Sequence, residues 1–319
     1  MKRLLQSLRP IPRATVAVAS SWRHRDAMPR LPKTWPTKDE LSVRAVIRWP
    51  STYEWPAAQK WVGGLRASLA AELRVASAEI AQPYNGVVLI EFQLDGVAHE
   101  VAIDYSDHTR LLDEVANRCP LVFKMQYDSG GYGYSHVIPG GYVPGRPYLY
   151  KYLPGLRHLR DQRSPRYEVY GRFGLGYATD VRRTAVELLR SQRGFHYEGS
   201  LVTRPYAAYL REAALSRVCV DLPGNGDMCH RLVDYLAIGC CVVRPRPRTR
   251  LHVELTDGTN VRFSDDLGAD FVGACADLVD NPDRSARMGL AARDYFDRYL
   301  NVDQLAGYYL DRCVTKFTW

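Results

Sequence analysis

The sequence predicts an α/β protein whose helices cover mainly parallel sheets. Short apolar segments alternate with helix-like segments throughout the second half of the chain, and that alternation is typical of βαβ units. A strand-like run over 218–222 ends in a turn rich in glycine, and a helix pattern follows it. The 319 residues, 46% of them apolar, suffice for two domains with sizeable cores. Ligands of such folds bind at the carboxyl ends of the strands.

The chain begins with residues 1–40, which are rich in Arg, Pro and Trp and show little periodicity. This composition predicts a loosely packed basic arm. Leu4, Leu5 and Leu8 lie among basic residues, so the alternative is a short amphipathic helix that contacts a membrane surface.

The rest of the first half predicts a mixture of helices and strands. A helix is expected over 57–80, because apolar residues from Trp61 to Leu73 recur at a spacing of four. Asp95-Gly96 predicts a hairpin turn. The other predicted elements of this half are strands at 86–94 and 100–105, a helix at 109–118 and a buried strand at 121–126.

The second half predicts regular alternation. Its strands are expected at 167–171, 195–199, 218–222, 240–244 and 261–264, and its helices at 180–190, 205–215, 228–238, 266–279, 284–300 and 303–314. Pro, Gly and Arg dominate between residues 145 and 165, where periodicity fades. We therefore expect an N-terminal domain over 1–150 and a second domain over 151–300.

Composition bears on several classes of protein. No apolar run approaches the roughly 18 residues that a membrane-spanning helix needs, and the first residues do not resemble a secretory signal. The seven cysteines have no CxxC spacing or zinc-ligand pattern, so reduced thiols are expected. The sequence thus favours a cytoplasmic protein. A net charge of +8 permits an anionic partner without identifying one.

The segment from Val218 to Gly239 carries the strongest functional signal. Gly224, Asn225 and Gly226 form a tight turn after the strand, and the helix that follows presents free N–H groups suited to a phosphate. Gly239 is expected to end that helix in the left-handed conformation.

Helical spacing places four polar side chains of this segment on one face: Asp227, His230, Arg231 and Asp234. A carboxylate there can bind a ribose diol, and an arginine can bind a pyrophosphate. The spacing is equally compatible with a solvated helix face that holds an internal Asp–Arg pair.

The same segment resembles the nucleotide-binding half of GT-B glycosyltransferases. Asp234 stands five residues before Gly239, and the strand-like Cys240-Cys241-Val242-Val243 follows. In retaining members of that family the matching residue is usually Glu and binds the donor ribose. Gly226 stands where a paired upstream Glu would fall, so the segment does not support retaining stereochemistry, and Asp227 is a candidate substitute.

The resemblance covers roughly residues 165–314 and extends to both sides of this segment. Downstream, residues 255–261 resemble the segment that follows the nucleotide site, and residues 280–299 resemble the closing part of the family. Upstream, Gly171-Arg172 stands where the family often places a basic residue on the donor phosphates, with Arg182 and Arg183 as weaker candidates.

What the resemblance implies is a GT-B fold of two Rossmann-like domains that face each other across a cleft. Residues 301–319 would form a helix that returns to the N-terminal domain. That domain would hold the acceptor, whose identity the sequence leaves open. A UDP- or GDP-sugar would be the donor, and no tightly held metal is expected. Arg172, Arg231 and the helix N-terminus would stabilise the leaving diphosphate.

Three residues of the first half are candidates for acid–base chemistry. Asp107 follows a predicted strand, and Asp128 and His136 flank a loop rich in Gly and Tyr that could close over a sugar. For each of them an ordinary structural role on a surface loop is the competing interpretation.

Two other functional hypotheses stay open at the level of the sequence. The dense basic cluster over 244–250 and the high Arg and Tyr content would suit a protein that binds nucleic acid or glycosylates it, although no nucleic-acid-binding motif is present. A non-catalytic nucleotide-binding scaffold on a Rossmann-like fold is the other hypothesis.

Overall fold

The computed structural model describes residues 44–146 and 148–318. The predicted basic arm and its membrane contact therefore lie outside the described residues. Within the described residues, no helix has both the length and the apolar character that crossing a bilayer requires.

The first half of the described chain forms a six-stranded mixed sheet with helices packed on it. The strands lie side by side in the order β2-β1-β3-β4-β5-β6, and β3 runs antiparallel to both of its neighbours. The elements are β1 (Ala45–Pro50), α1 (Gln59–Glu72), β2 (Arg74–Ala78), β3 (Val87–Leu94), β4 (Val97–Asp104), α2 (Asp113–Arg118), β5 (Leu121–Lys124) and β6 (Val137–Pro139).

The second half forms a five-stranded sheet in the order β11-β10-β9-β7-β8, and its strands are all parallel. Its elements are α3 (Tyr148–Gln162), β7 (Tyr167–Arg172), α4 (Thr179–Ser191), β8 (Tyr197–Ser200), α5 (Tyr206–Ala214), β9 (Ser216–Val220), α6 (His230–Ile238), β10 (Cys241–Pro245), β11 (Arg262–Ser264), α7 (Ala269–Asp280), α8 (Pro282–Tyr295), a π-helical segment (Phe296–Leu300) and α9 (Val302–Phe317). The predicted alternation is confirmed.

Two elements of the first half and the first helix of the second half depart from the prediction. Strand β1 was not predicted. The predicted helix over 57–80 is wrong beyond Glu72, because Arg74–Ala78 pairs in parallel with β1 as an edge strand. Helix α3 lies where we expected a boundary without regular structure. Its interior Pro154 is a residue that usually interrupts helices, but Leu149, Leu153 and Leu156 are buried and stabilise this one. The domain boundaries themselves stay a prediction.

The last helix, α9, packs against α1, β3 and β5 of the first sheet. The rings of Tyr309 and Phe123 stack with centroids 3.8 Å apart, and the side chains of Ser68 and Asp303 are hydrogen-bonded. One hydrophobic cluster runs through both halves and includes Phe123, Tyr170 and Leu305. The predicted return of the C-terminal segment to the first half is confirmed, and it holds the two sheets together around a cleft.

Candidate functional site

Two cavities lie where the carboxyl ends of the strands of both sheets meet. The larger has a volume of about 680 Å³ and is lined from both halves, including Asp107 and Arg182. The smaller, about 450 Å³, is lined by Arg146, Tyr206 and Asp234, among others. His230 lines both cavities, so they meet at the first residue of α6.

The glycine turn is positioned by contacts that cross the cleft. The side-chain amide of Gln126, a fully buried residue, donates to the carbonyl oxygen of Met228 at 2.7 Å and accepts from its N–H at 3.1 Å. A Cβ atom on Gly226 would lie 2.4 Å from Nε2 of Gln126 and 2.9 Å from the carbonyl oxygen of Asp107. Glycine is therefore required at 226, where the family resemblance would place a glutamate.

The prediction that Asp227 shares a polar face of α6 with His230, Arg231 and Asp234 is wrong. The helix begins at His230 rather than near Asp227, because Gln126 and Arg244 hold residues 227 and 228 in a non-helical conformation. The carboxylate of Asp227 accepts from the N–H of Arg248 at 2.6 Å. Gly239 does end the helix in the left-handed conformation, with φ of 90°.

Asp234 lies on the wall of the smaller cavity. It is buried, and the hydroxyl of Tyr206 donates to its Oδ1 at 2.8 Å. Burial raises the pKa of Asp234 to about 7, while the hydrogen bond from Tyr206 and the charge of Arg231 oppose that rise. The ionised form of this carboxyl group can accept hydrogen bonds from a ligand diol, and the raised pKa makes its population change near neutral pH.

The guanidinium of Arg231 packs over the ring of Phe173 at 4.6 Å and donates from Nε to Asp221 at 3.0 Å. Asp221 is fully buried and also pairs with Arg244 at 3.6 Å. Two guanidinium groups thus share one carboxylate, and this buried group retains a positive charge beside the start of α6. Such a charge favours an anion in the neighbouring cavity.

Arg172 has two carboxylate partners. Its guanidinium donates to Glu198 at 2.5 Å and to Glu212 at 2.7 Å. The side chain lines the smaller cavity with its charge already offset. A phosphate would therefore have to compete with both glutamates for this arginine.

Arg182, one of the weaker candidates of the sequence, has a different environment. Its side chain is buried and donates to the carbonyl oxygens of Gly174 and Pro223. Burial, and then the charge of Arg231, lower its pKa. No carboxylate pairs with it among residues 44–146 and 148–318. Arg182 thus joins the two loops after β7 and β9 and lines the larger cavity, and the carboxylate of Asp221 acts on its charge without a direct ion pair.

Arg146 was not singled out in the sequence. It lines the smaller cavity, and its guanidinium lies 4.9 Å from the ring centroid of Tyr206. In the described chain it has no carboxylate partner. Its position in a Pro- and Gly-rich stretch between the halves gave no periodic signal that could have marked it.

The imidazole of His230 has a defined tautomer. Its Nδ1 lies 3.2 Å from the carbonyl oxygen of Val143, which can only accept, so Nδ1 carries the proton. Burial lowers the pKa of His230. The ring is therefore neutral at pH 7, and Nε2, which is covered and has no hydrogen-bond partner in the described structure, keeps its lone pair.

Residues 154–311 match the family model described as glycosyl transferase-like. These residues, the nucleotide-binding half of the chain, are those of a group 1-like glycosyltransferase. The matched residues include the second sheet, the glycine turn and Asp234, and the two sheets conform to the predicted GT-B fold. No curated protein matches the chain.

Of the three acid–base candidates of this glycosyltransferase, only Asp107 lines the larger cavity. Its Oδ1 lies 3.4 Å from Nε2 of Gln126 and 3.5 Å from the hydroxyl of Tyr142. Asp107 is therefore placed in the cleft, opposite the glycine turn.

Asp128 and His136 line neither of the two cavities. The carboxylate of Asp128 accepts from the N–H of Gly130 at 2.8 Å, and Nε2 of His136 lies 2.8 Å from the carbonyl oxygen of Ala116. Tyr132, in the loop between them, donates to the carbonyl oxygen of Thr109. The Gly- and Tyr-rich loop thus packs on the first sheet in this glycosyltransferase.

The arginines of the basic cluster over 244–250 have carboxylate neighbours within the fold. Arg244 is buried against Asp221, Arg246 donates to Asp265 at 3.0 Å, and Arg248 lies 3.7 Å from Asp227. Only Arg244 is buried, whereas the side chains of Arg246 and Arg248 are 54% and 88% exposed.

Proposed function

We propose that the protein transfers a sugar from a nucleotide diphosphate sugar to an acceptor hydroxyl. The observation that carries this proposal is the junction of the two cavities at His230, with the carboxyl of Asp234 on one side and the glycine turn with Arg182 on the other. A ribose diol, a diphosphate and a sugar follow one another in the same order in such a donor.

The donor nucleoside would occupy the smaller cavity, with its ribose hydroxyls donating to Asp234 and its phosphates near Arg146. The diphosphate would pass His230 to reach Gly224, Asn225 and Arg182 in the larger cavity. Arg182 is favoured over Arg172 and Arg231 as the phosphate ligand, because those two are already paired with carboxylates. UDP- and GDP-sugars are the proposed donors.

Asp107 is the proposed general base. The acceptor hydroxyl would lose its proton to the Asp107 carboxylate as its oxygen forms a bond to the anomeric carbon. The bond from that carbon to the diphosphate breaks, and the electron pair leaves with the diphosphate. The positive charge of Arg182 and of the Arg231–Asp221–Arg244 group stabilises the leaving group. A single displacement of this kind inverts the anomeric centre.

A thermal-shift panel tests the proposal directly. UDP, GDP, CDP and their sugars should include at least one that raises the melting temperature of the full chain, and Asp234→Ala should abolish most of that rise. Asp311→Ala, a change at an exposed carboxylate on α9, is the matched control and should respond as the wild type does. If no nucleotide or nucleotide sugar raises the melting temperature, the enzyme hypothesis is wrong.

The remaining expectations stay predictions: metal independence, a cytoplasmic location, peripheral membrane contact and contact with nucleic acid. Binding of DNA with a steep salt dependence and without any nucleotide effect would favour the nucleic-acid hypothesis instead. Nucleotide stabilisation without transfer to any acceptor would favour the scaffold hypothesis.

A further inference from the structure

Three aromatic rings line the side of the larger cavity that belongs to the first half: Trp55, Trp61 and Tyr105, here called the aromatic wall. The rings of Trp55 and Tyr105 are stacked with centroids 6.4 Å apart, and Trp61 meets both edge-on at 5.7 and 5.8 Å. Tyr105 is buried, whereas Trp55 remains 45% exposed. The inner rings thus support an indole that faces the cavity, and no residue within 44–146 or 148–318 covers it fully.

Polar groups stand beside the aromatic wall. Asp107 and Asn85 line the same cavity, and the carboxylate of Asp104 is held at its floor by Lys124 at 3.1 Å. A ligand that displaces water from Asp107 must return hydrogen-bond donors to it, because an unpaired buried carboxylate is costly. The occupant therefore needs an apolar face for the indole and hydroxyl groups at its edge.

We propose that the aromatic wall binds a saccharide acceptor and that Trp55 is its specificity-determining residue; this rests on the proposed transferase function. A pyranose ring has a patch of C–H groups on one face and hydroxyls around its edge, which matches both requirements. Tryptophan offers a large rigid apolar surface for such a face. An alkyl chain would cover the indole equally well but would offer no donor to Asp107, whose contacts with Gln126 and Tyr142 are long, at 3.4 and 3.5 Å.

The position of the aromatic wall separates it from the donor. The wall belongs to the first half, whereas the glycine turn and Arg182 face it from the second half across the same cavity. Tyr177, 56% exposed, stands on that opposite side. The ribose ligand Asp234 lies in the other cavity. A saccharide on Trp55 would therefore meet the transferred sugar near Asp107 without displacing the nucleotide.

Saturation-transfer NMR and calorimetry on the full chain can test this inference with defined probes. The saccharide probes are methyl β-D-glucopyranoside, methyl α-D-mannopyranoside, maltose and cellobiose, and the other probes are 1-octanol and a serine-containing peptide. At least one saccharide should bind the wild type, and Trp55→Ala should weaken its binding roughly tenfold or more. Trp55→Phe should retain part of the affinity.

Tyr148→Ala is the matched control, because Tyr148 is 60% exposed and lines neither cavity. It should bind the saccharide as the wild type does. The thermal shift caused by UDP or GDP should be the same in Trp55→Ala as in the wild type. Loss of saccharide binding can therefore be distinguished from loss of nucleotide binding.

Equal saccharide affinity in the wild type and Trp55→Ala would overturn the inference. Absence of binding by every saccharide, or preferential binding of octanol or the peptide through Trp55, would overturn it as well. If Trp55→Ala fails to fold, as its melting curve would show, the comparison of Trp55→Phe with the wild type decides the outcome.

Discussion

At the scale of single residues, the charge state of each group in the cleft follows from its partners rather than from its type. Arg172 and Arg182 are both arginines on the wall of a cavity, yet two carboxylates neutralise the first and two carbonyl oxygens hold the second. Asp234 is buried beside a tyrosine hydroxyl, and Asp107 lies in the larger cavity. These two carboxyl groups therefore lead to different expectations.

Donor binding should depend on pH through Asp234. Because a ribose diol donates to the carboxylate, the ionised form binds the donor, and the pKa of this group is about 7 in the free protein. Nucleotide affinity should therefore rise between pH 6 and 8, as calorimetry at several pH values would show. Asp234→Asn should give a weaker affinity without that rise. An identical pH dependence in both proteins would argue against Asp234 as the ribose ligand.

The same pKa has a consequence for stability. The folded protein holds the proton of Asp234 up to about pH 7, whereas the ordinary value is 3.8. The stabilising contribution is thus complete below pH 3.8 and is lost as the pH rises towards 7. Asp234→Asn should be more stable than the wild type at pH 8, by roughly 2–4 kcal/mol. Urea unfolding at pH 5 and pH 8 measures this difference, which should shrink at the lower pH.

Asp107→Asn should slow transfer by about 10²–10⁴-fold, because the amide cannot take the proton of the acceptor hydroxyl. Nucleotide binding should be unchanged, since the proposed nucleoside ligands Asp234 and Arg146 line the smaller cavity and Asp107 does not. Asp128→Asn is the matched control, because its carboxylate caps a loop outside both cavities. Transfer assays with equal rates for Asp107→Asn and the wild type would exclude Asp107 as the base.

At the scale of elements, local sequence determines the glycine turn, whereas contacts with distant residues determine where α6 begins. Glycine and proline after β9 dictate a turn whatever surrounds it. The place where the helix begins is set by Gln126, which bonds both backbone groups of Met228 from the other side of the cleft. The shift of the helix start to His230 removes Asp227 from the site and leaves His230 at the junction of the cavities.

Gly226→Ala should disturb this junction. The added methyl would lie 2.4 Å from the Gln126 amide and 2.9 Å from the backbone of Asp107, so the first half would have to move. We expect a loss of roughly 1–3 kcal/mol in the free energy of unfolding, together with slower transfer. Gly133→Ala, at a position with no heavy atom within 4 Å of the added carbon, is the control for urea unfolding. Equal stability of the two variants would contradict the close approach at Gly226.

At the scale of the whole molecule, α9 and the shared hydrophobic cluster make the two sheets one structure. The cleft exists because the carboxyl ends of β4 and β9 are held facing each other, and α9 is covalently part of the second half while it packs on the first. Tyr309 contributes to this contact through its ring on Phe123, and its hydroxyl has no hydrogen-bond partner in the described part of the chain.

Tyr309→Ala should therefore lower the free energy of unfolding by about 3–5 kcal/mol, because it empties a buried aromatic position between the halves. Tyr309→Phe should be neutral or slightly stabilising, since it removes only the unpartnered hydroxyl. Urea unfolding with intrinsic fluorescence provides the comparison. A large loss in Tyr309→Phe would show that the hydroxyl, rather than the ring, holds the contact.

The sequence by itself determined the parallel second sheet, the glycine turn, the left-handed end of α6 at Gly239 and the position of Asp234. Each of these depends on local periodicity or on a backbone conformation that only a few residue types adopt. Tertiary structure alone decided which arginines keep a free charge, which of Asp107, Asp128 and His136 reaches the cleft, and where α6 begins. Those outcomes depend on residues far apart in the chain, such as Gln126 and Met228, whose contact no local pattern encodes.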